Sequence, residues 1–252
     1  MGTSPHVTLG AGRGVLVVCA TPLEAGALLA ELGVGSLVAH AQEWRPMPVL
    51  PGLKLLISGV GKANAAAATA RALDPASDAG VLSIGIGGVL PTPEKNTPVN
   101  SADERRATLG DVVVSTRSVY ADEGLLTPEK FVDLHDMGFP AGPWEGSGPW
   151  APPAWLSTLR TLGDAQGVIA TVSTCSGTDQ AAREVARRTG AVVEAMEGAA
   201  VAQVAERLGV AWGEVRVVSN TTGDRHAQRW EMRAALDRLA RLGAALAGTG
   251  TR

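Results

Sequence analysis

The sequence contains little cysteine and little histidine. Its 252 residues include two cysteines, Cys19 and Cys175, and four histidines. Two cysteines do not suggest a disulfide framework, and we expect both to be buried thiols in or at the end of strands. No histidine has metal-ligand spacing to another histidine or to a cysteine. We therefore predict that the protein binds no metal and no cofactor.

The sequence also lacks a basic block and a long apolar segment. Its net charge is −3, which argues against nucleic acid as a partner. The longest apolar run, residues 81–90, has about half the length that crosses a bilayer. Residues 15–20 are too few for the core of a signal peptide, and Pro22 and Glu24 follow them. We expect a cytoplasmic protein with no membrane partner.

What the chain does have is a regular alternation of apolar strands and helical segments. We predict one domain over residues 1–252, with residues 1–13 frayed. The predicted strands are residues 15–20, 53–57, 81–86, 110–116, 168–173, 191–193 and 212–219. This alternation predicts an α/β fold, with a mostly parallel sheet between helical layers and ligands bound at the carboxyl ends of the strands.

The stretch 191–225 is the most informative part of the chain. Its periodic segment, residues 196–208, predicts a helix with one apolar stripe. Glu197 lies on that stripe, so its carboxylate is expected to point inward from the first helical turn. An inward carboxylate needs a partner, and an ionised one is a pure acceptor that suits hydroxyl groups. The alternative is a carboxylate that only complements the helix dipole.

A second glutamate follows the first strand. Thr21, Pro22 and Glu24 have the spacing of a capping box, with Thr21 as the N-cap and Glu24 three residues later. From these residues alone, capping is the favoured role of Glu24.

Two glycine turns follow other strands. Residues 58–61 and 85–88 place glycines where a strand passes into the next segment, but both lack the third glycine of a dinucleotide fingerprint. Lys62 is followed by Ala63 and lacks the earlier glycine of a P-loop. Such glycines are usually packing and turn devices. Together with Glu24, Glu197 and Asn220 they nevertheless lie after strands, where they can converge on one cleft.

Three connections have no regular pattern. Residues 91–108 are expected to form an exposed polar loop, and residues 121–139 a solvated irregular connection. Residues 140–155 contain three tryptophans, which suit either the cover of a pocket, a subunit interface or plain surface packing.

In order along the chain, several motifs resemble the nucleoside phosphorylase and nucleosidase superfamily. They are VLVVCATPLEAGAL, ISGVGKANAA, SIGIGGVL, GDVVVS, EAMEGAAVAQV and VRVVSN. Within the superfamily they are most similar to the bacterial branch of methylthioadenosine/S-adenosylhomocysteine nucleosidase and futalosine hydrolase. The resemblance implies a three-layer αβα sandwich with a mixed, mostly parallel sheet, no metal, and cleavage of a purine N-glycosidic bond in a homodimer or larger oligomer.

The resemblance also implies roles for individual residues. Glu24 matches the glutamate that activates the attacking water, which favours catalysis over capping alone. Met196 matches the methionine beneath the ribose, and Glu197 the carboxylate that holds the ribose hydroxyls. Gly87 and Gly88 are assigned to the substrate-binding residues. Hydrogen bonds to the 2-hydroxyl strengthen as the sugar becomes an oxocarbenium-like cation, which suits a carboxylate at that place.

Two departures from the superfamily patterns indicate the substrate. Adenine-specific members have aspartate where this chain has Asn220, and an amide can donate to a 6-oxo group and accept from a protonated ring nitrogen. Asn220 thus predicts hypoxanthine or guanine, unless it is only a turn residue. Asp224 is a candidate for protonation of the leaving base.

The second departure concerns the acceptor. Phosphorylases have a serine that contacts phosphate where this chain has Ile86. Water is therefore the expected acceptor and a 6-oxopurine nucleoside the expected substrate; futalosine, an intermediate of a menaquinone pathway, fits best. The alternatives are a purine nucleoside phosphorylase, a methylthioadenosine/S-adenosylhomocysteine nucleosidase and a non-catalytic nucleoside-binding protein.

Overall fold

The computed structural model describes residues 12–92 and 106–247. The predictions for residues 1–11 and for most of the loop 91–108 therefore fall outside the described residues. Arg13, at the end of the segment predicted to be frayed, donates to the carbonyl oxygen of Asp78 at 2.6 Å. None of the described helices has the length and apolar character to cross a membrane.

A mixed sheet forms the centre of the molecule. Within the described residues it has eight strands: β1 (Gly14–Cys19), β2 (Met47–Leu50), β3 (Leu53–Ile57), β4 (Asp78–Val89), β5 (Val112–Tyr120), β8 (Ala165–Thr171), β9 (Ala191–Ala195) and β10 (Ala211–Thr221). Two further strands, β6 (Gly124–Leu126) and β7 (Phe131–Asp133), pair only with each other and form a separate antiparallel hairpin among the described residues.

The strand order is β10-β5-β8-β9-β4-β1-β3-β2. The pairs β10–β5, β4–β9 and β2–β3 are antiparallel, and the other neighbours are parallel, so the predicted mixed and mostly parallel sheet is confirmed. The long strand β4 also pairs in parallel with β10. This extra pairing joins the first and the fifth strands of the order, and that part of the sheet closes into a ring.

Helices cover the sheet and complete its cores. They are α1 (Pro22–Ala30), α2 (Lys62–Ala72), α3 (Pro153–Leu159), α4 (Asp179–Thr189), α5 (Gly198–Leu208) and α6 (Met232–Ala247). Val15 and Val17 of β1 pack with α1 and α6, whereas Leu16 and Val18 pack with α2 and α5. Alternate side chains of a strand point to opposite faces, so a continuously apolar strand has a core on each side. The layered α/β prediction is confirmed.

Two predictions about the irregular regions were wrong. Residues 121–139 contain the hairpin of β6 and β7, although their mixed polar composition had predicted no regular structure. Cys175 is exposed, because it lies in the loop after β8 and not within the strand, while Cys19 is buried in β1 as predicted. Two tryptophans of residues 140–155 have different environments. Trp155 belongs to the core, whereas Trp150 is 62% exposed and its backbone forms an isolated β-bridge with Arg117.

Candidate active site

Glu24 lies in the first turn of α1, directly after β1, and makes the capping interaction considered for it. Thr21 Oγ1 accepts from the Glu24 backbone N–H, and Glu24 Oε2 accepts from the Thr21 N–H at 3.0 Å and from its hydroxyl at 2.8 Å. The capping box is therefore present. The other oxygen, Oε1, accepts from the Ile86 N–H of β4 at 3.0 Å. Glu24 is thus a buried carboxylate that joins its helix to the neighbouring strand.

The glycine turn between β3 and α2 contributes a donor to the same region. Gly59 and Gly61 have φ angles of +81° and +93°, which side chains rarely permit. This conformation points the Gly61 N–H at Glu197 Oε1, with a separation of 3.1 Å. The turn therefore binds a carboxylate of the protein through its backbone, as glycine turns at helix N-termini do with anions.

Glu197 is buried, as its place on the apolar stripe predicts. Its expected position in the first helical turn was wrong, because α5 begins at Gly198 and Glu197 is the N-cap residue, with φ −127° and ψ −34°. Its side chain does not cap its own helix. The carboxylate is held instead by Gly61 and by Arg216, whose Nη1 lies 3.3 Å from Glu197 Oε2.

Arg216 is the residue that the sequence analysis missed. It lies in the middle of β10 and is 1% exposed. Its Nε donates to Glu214 Oε1 at 2.9 Å and its Nη2 to Ser83 Oγ at 2.8 Å. The signal was two charged residues, Glu214 and Arg216, two positions apart in a valine-rich strand. Because side chains alternate along a strand, they share one face, opposite Val215 and Val217 of the core.

The charge balance around Arg216 is unusual. Glu24, Glu197 and Glu214 are all buried and all interact with this guanidinium. Burial lowers the pKa of Arg216, but Glu214, then Glu197 and Glu24, raise it, and the net shift is upward. The guanidinium therefore stays charged. Three carboxylates facing one cation leave a region that favours positive charge on a bound molecule.

The glycine run at the end of β4 gives these groups their space. A Cβ on Gly85 would lie 2.4 Å from Glu24 Oε1 and 2.7 Å from Arg216 Nη1, so both groups face the place of the missing side chain. A Cβ on Gly87 would meet Val193, and one on Gly88 would lie 2.8 Å from Thr222 and 3.1 Å from Asn220 Nδ2. Gly85, which was not among the predicted site residues, is thus the glycine next to both charged groups.

Asn220 and Asp224 lie at different depths. Asn220 is the penultimate residue of β10 and lies next to Gly88; its Oδ1 accepts from Ser219 Oγ at 2.9 Å and its Nδ2 donates to the Thr221 carbonyl at 3.0 Å. Asp224 is exposed in the following loop, where its backbone N–H donates to Asp179. The structure brings Asn220 to the edge of the glycine run, whereas Asp224 stays at the surface.

A cavity of about 630 Å³ opens beside Glu197. Met196, which is half-buried, lines it together with Gly61, Lys62 and Tyr120. The Lys62 ammonium lies 5.4 Å from the centre of the Tyr120 ring and forms ion pairs with Asp122 and Glu123. The cavity therefore combines an aromatic ring with a basic group next to the predicted ribose-binding residues.

The described residues contain one group with the geometry of metal ligands. Asp133, His135 and Asp136 place one ligand atom each within 4.8 Å of one another. Spacings between histidines and cysteines do not reveal this group, because two of its three members are aspartates. Asp133 is the last residue of β7, and His135 and Asp136 follow it as exposed residues; exposed acidic groups are common without an ion.

Comparisons with known proteins assign the chain to a family. The phosphorylase superfamily model matches residues 15–249. A futalosine hydrolase of Acidothermus cellulolyticus is 41% identical over 58% of this chain and 62% of its own length. A futalosine hydrolase of Streptomyces coelicolor is 37% identical over 73% of this chain and 74% of its own length.

A solved structure supports the fold independently. The methylthioadenosine/S-adenosylhomocysteine nucleosidase of Helicobacter pylori superposes with a TM-score of 0.65 at 18% identity, over 94% of this chain and 99% of that one. At this identity the likeness concerns the fold. Taken with the family match and the sequence relatives, it leads to one assignment: the chain belongs to the phosphorylase superfamily and, within it, to the family of the futalosine hydrolases.

Proposed function

We propose that the protein is an N-glycosyl hydrolase that releases hypoxanthine from futalosine. The observation that carries this proposal is the meeting of two buried carboxylates, Glu24 and Glu197, at the Nη1 side of Arg216 next to Gly85. Cleavage of a glycosidic bond needs a base for water and an acceptor for the sugar hydroxyls, and these two residues supply one each. The relatives from Acidothermus cellulolyticus and Streptomyces coelicolor are named futalosine hydrolases, which supports this proposal.

Glu24 is the general base in this proposal. Its carboxylate already accepts three hydrogen bonds, from Ile86 and from the backbone and hydroxyl of Thr21, which leaves about one of its four acceptor positions for a water. The water transfers a proton to Glu24 as its oxygen bonds to the anomeric carbon. The bond from that carbon to the purine breaks, and its electron pair leaves with the base.

Glu197 and Met196 hold the ribose. The carboxylate is fixed by Gly61 and Arg216, and it accepts from the sugar hydroxyls while positive charge develops on the ring. Asn220 donates to the 6-oxo group and accepts from the ring N–H of the departing base, next to Gly87 and Gly88. The base takes up one proton from the solvent on a ring nitrogen, and Asp224, which is exposed in the loop after β10, is the candidate to relay it.

Water is the proposed acceptor because the position of a phosphate-binding serine is apolar here. Ile86 offers only its backbone N–H, and that group is already bonded to Glu24. The cavity beside Met196 supports a substrate with a large group on the ribose 5-carbon. Futalosine carries an aromatic carboxylate there, for which the Tyr120 ring and the Lys62 ammonium provide matching chemistry.

The experiment is base release by the purified protein from futalosine, inosine and methylthioadenosine, each with and without phosphate. Hypoxanthine from futalosine at an equal rate in both conditions is the expected result. Adenine release from methylthioadenosine at a higher efficiency would assign the protein to the adenine-type nucleosidases. A strict requirement for phosphate would make it a phosphorylase, and binding without any turnover would leave only a nucleoside-binding protein.

The proposal includes a cytoplasmic homodimer or larger oligomer that acts in menaquinone synthesis. Two exposed apolar side chains support self-association: Val60, which lines the cavity, is 48% exposed, and Leu126 of β6 is 79% exposed. We expect light scattering to give at least twice the chain mass, and Leu126→Lys to lower it. A monomeric wild-type protein would contradict the assembly but not the reaction.

A further inference from the structure

Glu214 is a buried carboxylate that the proposed reaction does not use. Its exposed fraction is 0%, and it lies in β10 two residues before Arg216. A carboxylate in such a place is costly unless its oxygens are bonded. Here Oε1 accepts from Arg216 Nε at 2.9 Å, and Oε2 accepts from the Ser118 hydroxyl of β5. Both oxygens therefore have a partner.

The neighbouring elements leave room for this side chain. A Cβ on Gly198, the first residue of α5, would lie 2.0 Å from the Glu214 carboxyl group. Ser118 is in turn bonded to Ser115 at 3.1 Å. The start of α5 and the serines of β5 thus fit around the carboxylate, and an ordinary side chain at position 198 would displace it.

The contact with Glu214 determines where the guanidinium of Arg216 points. A guanidinium is planar and rigid, so its Nε and Nη2 bonds also fix the direction of Nη1. Glu214 holds Nε and Ser83 holds Nη2. The remaining nitrogen, Nη1, then lies against Glu197 and faces the open position at Gly85, where Glu24 Oε1 also lies.

We propose that Glu214 is a positioning residue, which orients Arg216 so that its Nη1 holds Glu197 in place for the ribose. This inference rests on the proposed function, since it concerns the same site. An ion pair between Glu214 and Arg216 that served stability alone would not need the contact between Nη1 and Glu197. The length of the side chain, and not its charge, is what the orientation requires.

Two variants separate length from charge. Glu214→Gln keeps the length and an acceptor for Arg216 Nε, and we expect kcat within about tenfold of wild type. Glu214→Asp keeps the charge but withdraws it by one methylene, and displacements of about 1 Å near a reacting centre can cost about 100-fold. We expect that loss in kcat, with a smaller change in KM, because Glu197 acts most strongly in the transition state.

Asp78→Asn is the matched control. Asp78 is also a fully buried carboxylate, but its ion pair with Lys54 lies at the opposite end of β4. It should lower the melting temperature and leave kcat per folded molecule unchanged. Wild-type kcat in Glu214→Asp would overturn the positioning role. So would an equal loss in Glu214→Gln, because the length of the side chain would then not be sufficient to orient Arg216.

Crystal structures of wild type and Glu214→Asp make the test independent of the substrate. The expected difference is a longer separation between Arg216 Nη1 and Glu197 than the 3.3 Å of the wild-type chain. An unchanged contact would overturn the proposal even if the protein hydrolysed another nucleoside. Absence of base release by the wild type would defeat the proposed function alone, since the geometry of Arg216 would still decide the role of Glu214.

Discussion

Glu24 is bonded through both carboxylate oxygens, one to the N-terminus of its own helix and one to β4. A capping group and a catalytic base need different controls. We expect Glu24→Gln to reduce turnover about 100- to 10,000-fold, because an amide cannot take the proton of water. Substrate binding should persist. Base release and binding, measured on the same preparation, check this.

Thr21→Ala provides the control for capping. It removes the side-chain acceptor at the N-cap, a loss of about 1 kcal/mol in stability. Its turnover should remain well above that of Glu24→Gln. Equal losses of turnover in the two variants would mean that Glu24 acts through the helix start and not as a base.

The variant Asn220→Asp tests whether Asn220 recognises the 6-position of the purine base. An ionised aspartate at this position would repel a 6-oxo group but accept from a 6-amino group. Asn220→Asp should therefore lower the efficiency on futalosine and inosine far more than that on methylthioadenosine. The ratio of kcat/KM values for inosine and methylthioadenosine measures the effect. If that ratio does not move, Asn220 does not contact the base.

Single residues also show where sequence reasoning stops. Glu24, Glu197 and the glycine turn of residues 58–61 were identified because each follows a strand in a recognisable local pattern. The prediction of a second glycine turn at residues 85–88 was wrong, because these residues lie within β4 and pair with β10. Arg216 lies within the motif VRVVSN, but nothing local gives it a role, because its partners are Glu197 just before α5, Ser83 of β4 and Glu214 of its own strand. Alternation along β10 would have placed Glu214 and Arg216 on one face, but only the fold shows that Glu197 meets them there.

At the scale of elements, α1 carries Glu24 and packs against α6. The contact is close: a Cβ on Gly243 of α6 would lie 1.8 Å from the Leu28 carbonyl oxygen of α1. Gly243→Ala therefore forces the helices apart, and we expect a loss of about 1–3 kcal/mol, as for other overpacked cores. Urea unfolding of the two proteins measures the difference.

Gly26→Ala is the control in the same helix. A Cβ there meets nothing within 4 Å, and alanine in place of a helical glycine adds about 0.5–1 kcal/mol of stability. The two glycine substitutions should thus have opposite signs. A stabilising Gly243→Ala would show that α1 and α6 are less tightly packed than the structure indicates.

The elements themselves were largely predictable, and their ends were not. The apolar runs of β1, β3 and β4 were placed within a few residues, since strands covered on both faces are continuously apolar. The helix predicted from residue 196 begins at Gly198. Glu197 has a non-helical backbone conformation, and its side chain is bonded to Gly61 and Arg216, which the helical periodicity of the sequence does not reveal. The hairpin of β6 and β7 had no alternation strong enough to reveal it.

For the molecule as a whole, the buried acids Glu214 and Glu194 contribute to the dependence of stability on pH. Burial raises the pKa of Glu214, although Arg216 opposes the shift, and burial likewise raises that of Glu194 against its bonds from Ser176. The folded protein then holds these protons more tightly than the unfolded chain. The resulting stabilisation is complete below the ordinary glutamate value of 4.5 and is lost as the pH rises through the folded pKa.

Glu214→Gln makes this dependence measurable, because glutamine cannot titrate. We expect the melting temperature of wild type to fall relative to that of the variant as the pH rises from 4.5 toward neutrality. The groups that face Glu214 are Arg216 on its own strand, Ser118 on β5 and Glu197 at the start of α5. All of these groups remain in the variant. A constant difference in melting temperature between wild type and Glu214→Gln across this pH range would contradict the prediction. It would mean that Glu214 keeps one protonation state, with the cost of its burial balanced by Arg216 and Ser118 at every pH.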